Sequence, residues 1–331
     1  MTPTPILILN EAELRDCVSI DMEALQAVEV GFAQLARGET VVPPAMGIDV
    51  PEHQAEIHVK SAYVHGLDGF AVKIASGFYG NPDKGLPMSS GMMILFDATT
   101  GFPQAFLLDN AFLTELRTGF AGAIAAKYLA REKLHTVGVV GAGSQGRYQV
   151  LSLRLVRDFE RLLIFDTNSE SMEQYVADMS AELGIEVVAA NDVAALVGES
   201  DLVVTATPAR SPFVKAEWMH AGLHITAMGS DGPDKLELEP EAVARADRVV
   251  CDRKSQCFTL GELHHAFDAG LITEEDTIEL GDLAAGLANG READEEITLC
   301  DLTGVGVQDT AIASLAYERA VAKGLGTTIE A

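Results

Sequence analysis

The chain has 331 residues, about two domains' worth, and 48% of them are hydrophobic, enough to fill real cores. No uncharged apolar stretch approaches the roughly 18 residues of a membrane helix. The formal net charge of −27 argues against a nucleic-acid partner, and any anionic substrate must be met by a local knot of Lys and Arg. Cys17, Cys251, Cys257 and Cys300 form no Cys-x-x-Cys pair and no His cluster accompanies them. Neither a disulfide framework nor a zinc site is expected, and no metal is assigned. Met1–Asn10 lacks a basic leader and a small-residue cleavage site. It reads as a strand, and the expected location is the cytoplasm.

In chain order, Ile6–Leu9 predicts a short strand. Met22, Leu25, Val28, Phe32 and Leu35 recur at helical spacing, and Gly38 stops that helix. Residues 42–107 change character. The runs Ile57–Tyr63, Phe70–Ile74, Met92–Phe96 and Gln104–Leu108 are separated by turn signals at Gly66–Gly69, Gly80–Gly85 and Thr99–Pro103. They predict an antiparallel sheet or meander. From Asn110 an alanine-rich helix through Ala121–Ala130 carries the chain into a second domain. There the pattern switches to short apolar runs: Val137–Val140, Leu162–Phe165, Leu202–Thr205, His224–Ala227, Arg248–Cys251 and Ile297–Asp301. Helical stretches such as Tyr148–Asp158 and Ser171–Leu183 space the first of them. That alternation predicts an α/β protein with a Rossmann-type, doubly wound parallel sheet. A last helix, Ala311–Lys323, ends at Gly324.

The segment Val137-Gly-Val-Val-Gly141-Ala-Gly143-Ser-Gln-Gly146 ends a buried strand and opens a helix. Gly141 permits the tight turn, Gly143 lets a pyrophosphate approach the backbone, and Gly146 lets helix and strand pack closely. The helix N-terminus adds free N–H donors and a positive dipole end. Asp166 lies 20 residues beyond Gly146, at the end of the second strand. A carboxylate there accepts hydrogen bonds from the adenosine ribose and repels a 2′-phosphate. Thr167 and Asn168 follow, with no Arg or Lys, so NAD is expected rather than NADP. The fingerprint begins in mid-chain, so a separate α+β domain precedes it and supplies substrate and subunit contacts. The expected division is 1–120 with 310–331 for substrate and dimerisation, and 121–309 for the dinucleotide.

Several stretches, in order, resemble the ornithine cyclodeaminase/μ-crystallin family: Gly69-Phe-Ala-Val-Lys73, Gly85-Leu-Pro, Leu95-Phe-Asp-Ala-Thr-Thr-Gly101, Leu116-Arg-Thr-Gly-Phe-Ala-Gly-Ala123, the glycine loop, Met228-Gly-Ser-Asp-Gly-Pro-Asp-Lys235 and Asp301-Leu-Thr-Gly-Val-Gly-Val-Gln-Asp309. Pro43-Pro, Asp49-Val-Pro-Glu-His and Val59-Lys-Ser-Ala-Tyr-Val look most like its iminosuccinate reductases and ectoine-utilisation cyclodeaminase-like members. The resemblance covers essentially the whole chain. It implies hydride transfer between nicotinamide and the Cα of an amino or imino acid. It also implies a homodimer in which the sheets of two substrate domains close a barrel.

The resemblance implies residue roles as well. Lys73 matches the active-site lysine, which binds the substrate carboxylate or polarises the imine. Read structurally it is a surface lysine at a strand end, yet its neighbours Ala71, Val72, Ile74 and Ala75 are apolar. Arg117 offers a two-point clamp for a carboxylate, or else a helix-packing ion pair with Glu115 or another acid. Asp231 matches the acid/base that handles the substrate nitrogen, or else is a turn aspartate before Gly-Pro. Thr118, Ser144, Gln145, Thr207, Met228, Ser230, Lys235 and Thr303 match positions that touch the dinucleotide, together with Gly141, Gly143, Gly146 and Asp166. One departure stands out: the arginine that many members carry after the proline pair is absent, since Ala45-Met-Gly47 follows Pro43-Pro. Close by, Glu56, His58 and Lys60 alternate and face one side of a strand. They form a solvated face, or else Lys60 and His58 supply charge to a second substrate carboxylate.

The expected activity is that of an NAD(H)-dependent imine reductase or amino-acid dehydrogenase acting on a small imino acid, with iminosuccinate reduced to aspartate as the specific expectation. A redox-neutral cyclodeaminase, with Glu56 receiving a distal amine, is the alternative. A non-enzymatic small-molecule binder of the μ-crystallin type is a third class.

Overall fold

The computed structural model describes residues 5–330, and Met1–Thr4 of the expected N-terminal strand lie outside them. The chain divides into two compact units, Met1–Arg117 with Val305–Ala331, and Thr118–Gly304. In the first unit β1 (Pro5–Asn10) leads through α1 (Glu11–Cys17) and α2 (Met22–Ala36) to β2 (Thr40–Val41), β3 (Met46–Val50), β4 (Ala55–Val64), β5 (Gly69–Phe78), β6 (Ser89–Asp97) and β7 (Pro103–Leu108). Where the apolar spacing predicts one helix there are two. A capping box starts α1: Glu13 N donates to Asn10 Oδ1 at 3.1 Å and Asn10 N donates to Glu13 Oε2 at 2.9 Å. α3 (Phe112–Leu129) runs unbroken across the division at Arg117/Thr118, so no composition break marks the boundary expected at residue 120.

The second unit contains β8 (Thr136–Val140), α4 (Ser144–Leu153), β9 (Arg161–Phe165), α5 (Ser169–Leu183), β10 (Glu186–Ala189), α6 (Val193–Glu199), β11 (Leu202–Thr205), β12 (His224–Ala227), α7 (Pro240–Arg245), β13 (Arg248–Cys251), α8 (Lys254–Leu260), α9 (Glu262–Asp268), β14 (Thr277–Glu279), α10 (Leu280–Ala284) and β15 (Thr298–Asp301). Its parallel strands follow the order β10-β9-β8-β11-β12-β15-β13-β14. The chain steps outward from β8 to β10, then crosses back to β11. The point between β8 and β11 is therefore the switch point at which open α/β sheets bind ligands. α4 begins at Ser144 and ends at Leu153 rather than spanning Tyr148–Asp158, because the glycine loop opens straight into it. Beyond its end, Arg157 donates to the carbonyls of Lys127 at 2.7 Å and Arg131 at 3.0 Å, which fixes the chain as a turn.

The chain returns to the first unit as α11 (Gly306–Lys323) and β16 (Thr327–Glu330). α11 starts at Gly306, ahead of the expected Ala311, because Gln308 Oε1 accepts a bond from Val305 N at 2.7 Å and closes the first turn. A Cβ on Gly306 would lie 2.3 Å from the Ser61 carbonyl, so only glycine lets this helix start pack on β4. The mixed sheet runs β16-β1-β7-β6-β5-β4-β2, with β3 also on β4. Helices α2 and α11 cover one face, where Leu25, Val28, Phe32, Met93, Leu95 and Leu107 form the core. The other face carries the Tyr63–Phe70–Phe96 ring contacts and the exposed side chains of Met46, Ile48 and Met92. No helix among the described residues is long and apolar enough to cross a membrane.

Candidate active site

In the second unit the loop after β8 is shaped by its glycines. Gly141 has φ +112°, and a Cβ there would sit 2.5 Å from the Ala206 carbonyl in the turn after β11. On Gly146 a Cβ would lie 2.2 Å from the Gly141 carbonyl, which requires close helix–strand packing. Gly143 differs: a Cβ there meets nothing within 4 Å. Gly143 and Ser144 are exposed at the N-terminus of α4, so that end is open to an anion. At the end of β9, Asp166 accepts from Ala142 N and from Asn168 N, each at 2.8 Å, which anchors the carboxylate beside the glycine loop. These features fit a dinucleotide with its pyrophosphate at α4 and its adenosine ribose at Asp166.

Other expected cofactor positions cluster at the carboxyl ends of β11, β12 and β15. The Thr207 hydroxyl donates to Glu237 at 2.7 Å and the Thr303 hydroxyl to Asp252 at 3.0 Å, so both hydroxyls are turned to buried carboxylates. Met228 is buried, and the Ser230 hydroxyl donates to the Lys235 carbonyl at 2.7 Å. Lys235 Nζ lies 2.6 Å from Asp231 Oδ1. Gln149 Nε2 donates to the Thr118 carbonyl at 2.9 Å and to Gln145 Oε1 at 3.4 Å, which holds those two positions together. Beneath the turns, burial and then the Asp252 charge push the Asp301 carboxyl up to about 8.

In the first unit Lys73 is not at a strand end. It lies within β5, 3% exposed, with Lys60 of β4 directly opposite and 8% exposed. Its Nζ is 3.6 Å from Asp309 Oδ2 in the first turn of α11. Arg117 donates from Nε to Asp309 Oδ1 at 2.9 Å and from Nη1 to Gln308 Oε1 at 3.4 Å. Of the acids that an ion pair at Arg117 could use, Asp309 is the one it meets. Three buried cations thus share one region of the sheet face covered by α11. Further along β4, His58 Nε2 is 3.4 Å from Glu56 Oε2, and the Tyr79 hydroxyl donates to Glu56 Oε1 at 2.7 Å. On β5 the residues opposite Glu56 and His58 are small, Gly77 and Ala75, while on β3 they are Asp49 and Gly47.

No local sequence signal marks Asp309, Gln308, Glu237 or Tyr79 as a site residue. Asp309 closes the stretch Asp301-Leu-Thr-Gly-Val-Gly-Val-Gln-Asp309, and its partner Arg117 is 192 positions away.

The model of the ornithine cyclodeaminase/mu-crystallin family matches residues 6–324. An archaeal alanine dehydrogenase, solved as a dimer with bound NAD, is 38% identical with a TM-score of 0.91, over 98% of this chain and 99% of that one. The Delta(1)-pyrroline-2-carboxylate reductase of Thermococcus litoralis, solved with NADH and L-proline, is 34% identical with a TM-score of 0.93, over 98% and 100%. The iminosuccinate reductase of Paracoccus denitrificans, solved with NAD+, is 33% identical with a TM-score of 0.91, over 99% and 100%. The chain therefore belongs to the ornithine cyclodeaminase/μ-crystallin family.

Proposed function

We propose that this protein is an NAD(H)-dependent imine reductase or amino-acid dehydrogenase for a small imino acid, with iminosuccinate, reduced to aspartate, as its substrate. The carrying observation is the convergence of Lys73 and Arg117 on Asp309. Burying two cations is costly and one shared carboxylate offsets only part of that cost, while a guanidinium fork matches a further carboxylate in two-point fashion. The three solved relatives described above, each a dehydrogenase or reductase solved with NAD, NAD+ or NADH, support the cofactor and the reaction class.

Reducing a C=N bond adds a hydride to carbon and a proton to nitrogen. A bound nicotinamide would supply the hydride. Arg117 and Lys73 bind and orient the α-carboxylate, and Asp309 holds both cations in place. Asp231, bonded to Lys235 and partly exposed, takes a proton from solvent and passes it to the substrate nitrogen during reduction, and returns it to solvent in the reverse direction. Lys60, opposite Lys73, supports a second substrate carboxylate. Purified protein should oxidise NADH with iminosuccinate and not with pyruvate plus ammonia. The Glu56–Tyr79 pair favours a second reading, in which an acid receives a distal amine as a cyclodeaminase requires. Ammonia released from ornithine with no net change in NADH would establish that reading instead.

The half-exposed apolar sheet face around Met46, Ile48 and Met92 supports a homodimer formed face to face, which light scattering in solution tests. Four free, buried cysteines accord with the cytoplasm.

A further inference from the structure

Glu237 takes no part in hydride or proton transfer, yet it is wholly buried and accepts four hydrogen bonds. Oε2 accepts from the Thr205 hydroxyl at 2.6 Å and from Gly229 N at 2.9 Å. Oε1 accepts from Thr207 N and from the Thr207 hydroxyl, each at 2.7 Å. Thr205 is the last residue of β11, and the other donors belong to two separate turns, one after β11 and one after β12. The turns close tightly on the carboxylate: a Cβ on Gly229 would lie 2.2 Å from the Thr207 carbonyl and 2.5 Å from Glu237 Cδ. Glu237 is itself held, because its N–H and that of Leu238 donate to Glu262 at 2.8 and 3.1 Å. Burial pushes the Glu237 carboxyl up, and the four donors oppose that rise.

Sheet order says which part of a dinucleotide these turns serve. Asp166 ends β9 and the glycine loop follows β8, while β11 and β12 come next, each strand about 4.8 Å further along. With adenosine at β9 and pyrophosphate at β8, the nicotinamide riboside falls at the ends of β11 and β12. We propose that Glu237 is a positioning residue that clamps the Thr207 and Gly229 turns into the shape that receives the nicotinamide half of the cofactor. This rests on the dinucleotide reading given under the proposed function. The Ser230–Asp231 turn follows Gly229 directly, so the same clamp sets where Asp231 begins.

The test separates the two halves of the cofactor. Glu237→Gln keeps the shape but sets an amide N–H against existing donors. It should bind ADP-ribose as the wild type does, while NADH affinity falls about tenfold and kcat falls with it. Thr205→Val removes one donor of the four and should shift NADH affinity in the same direction by about threefold, again sparing ADP-ribose. Should Glu237→Gln fail to fold, Thr205→Val decides alone. Equal losses for NADH and ADP-ribose, or no loss for either, overturn the proposal and leave Glu237 a structural residue. A wild-type protein that binds neither NADH nor NADPH overturns the dinucleotide reading first, and this inference with it.

Discussion

The two units bury carboxylates in different company. In the first, Asp309 lies against Lys73 and Arg117. In the second, Glu237 and Asp252 are surrounded by neutral donors, and Asp252 accepts from Thr303 N at 2.9 Å, from the Thr303 hydroxyl at 3.0 Å and from Gly304 N at 2.6 Å. A side-chain cation beside a carboxylate can turn part of its hydrogen-bonding capacity toward an incoming anion. A backbone N–H is fixed by the chain on either side of it. The first arrangement suits recognition of a charged substrate, and the second suits loops that must keep their shape.

Removing the carboxylate from the first arrangement tests the contrast most severely. Asp309→Asn leaves buried cations facing an amide and should lower unfolding stability by about 3–5 kcal/mol, read by urea titration. A loss below about 1 kcal/mol would mean the pair behaves as an exposed one. Arg117→Lys keeps the charge and loses the fork. We expect kcat/KM for the imino acid to fall about 10–100-fold, and an unchanged value would show that charge alone suffices.

In the second unit the contrast is sharpened by pH. The Asp301 carboxyl titrates at about 8 in the folded protein against an ordinary 3.8. Between those values the folded state keeps a proton that the unfolded chain has released. Stability therefore falls as pH rises through this window, by up to about 1.4 kcal/mol per pH unit, and Asp301→Asn should flatten the slope. If the variant keeps the full slope, other buried acids are responsible. The smallest structural change is Gly143→Ala, whose Cβ meets nothing within 4 Å. It should fold as the wild type does and lose about tenfold in NADH affinity. Normal affinity there would remove the pyrophosphate from the α4 terminus.

Much of this was legible in the sequence. Six of the parallel strands announced themselves as apolar runs, and the antiparallel ribbons announced themselves by their turns. β10 and β14 did not, because Glu186–Ala189 opens on a charge and Thr277–Glu279 holds a single apolar residue. The insertion of β15 between β12 and β13 leaves no local trace, since pairing order is set by long-range packing. Lys73 and Arg117 drew notice as charges among apolar neighbours. Asp309 did not, because its partners are distant in sequence and the glycines before it resemble a loop. Glu237 was hidden by its setting, Leu-Glu-Leu-Glu-Pro, where alternation suggests a solvent-facing acid.

The pairing of β16 with β1, Pro5 opposite Glu330, places the two described ends of the chain side by side. During synthesis, all of Thr118–Gly304 emerges before the segment that carries Asp309 and β16. The second unit can therefore complete itself on the ribosome while Lys73 and Arg117 still lack Asp309. The same adjacency makes residues 5–330 a natural subject for circular permutation: a short peptide joining Glu330 to Pro5, with new termini cut in the second unit, would let the first unit be translated without interruption.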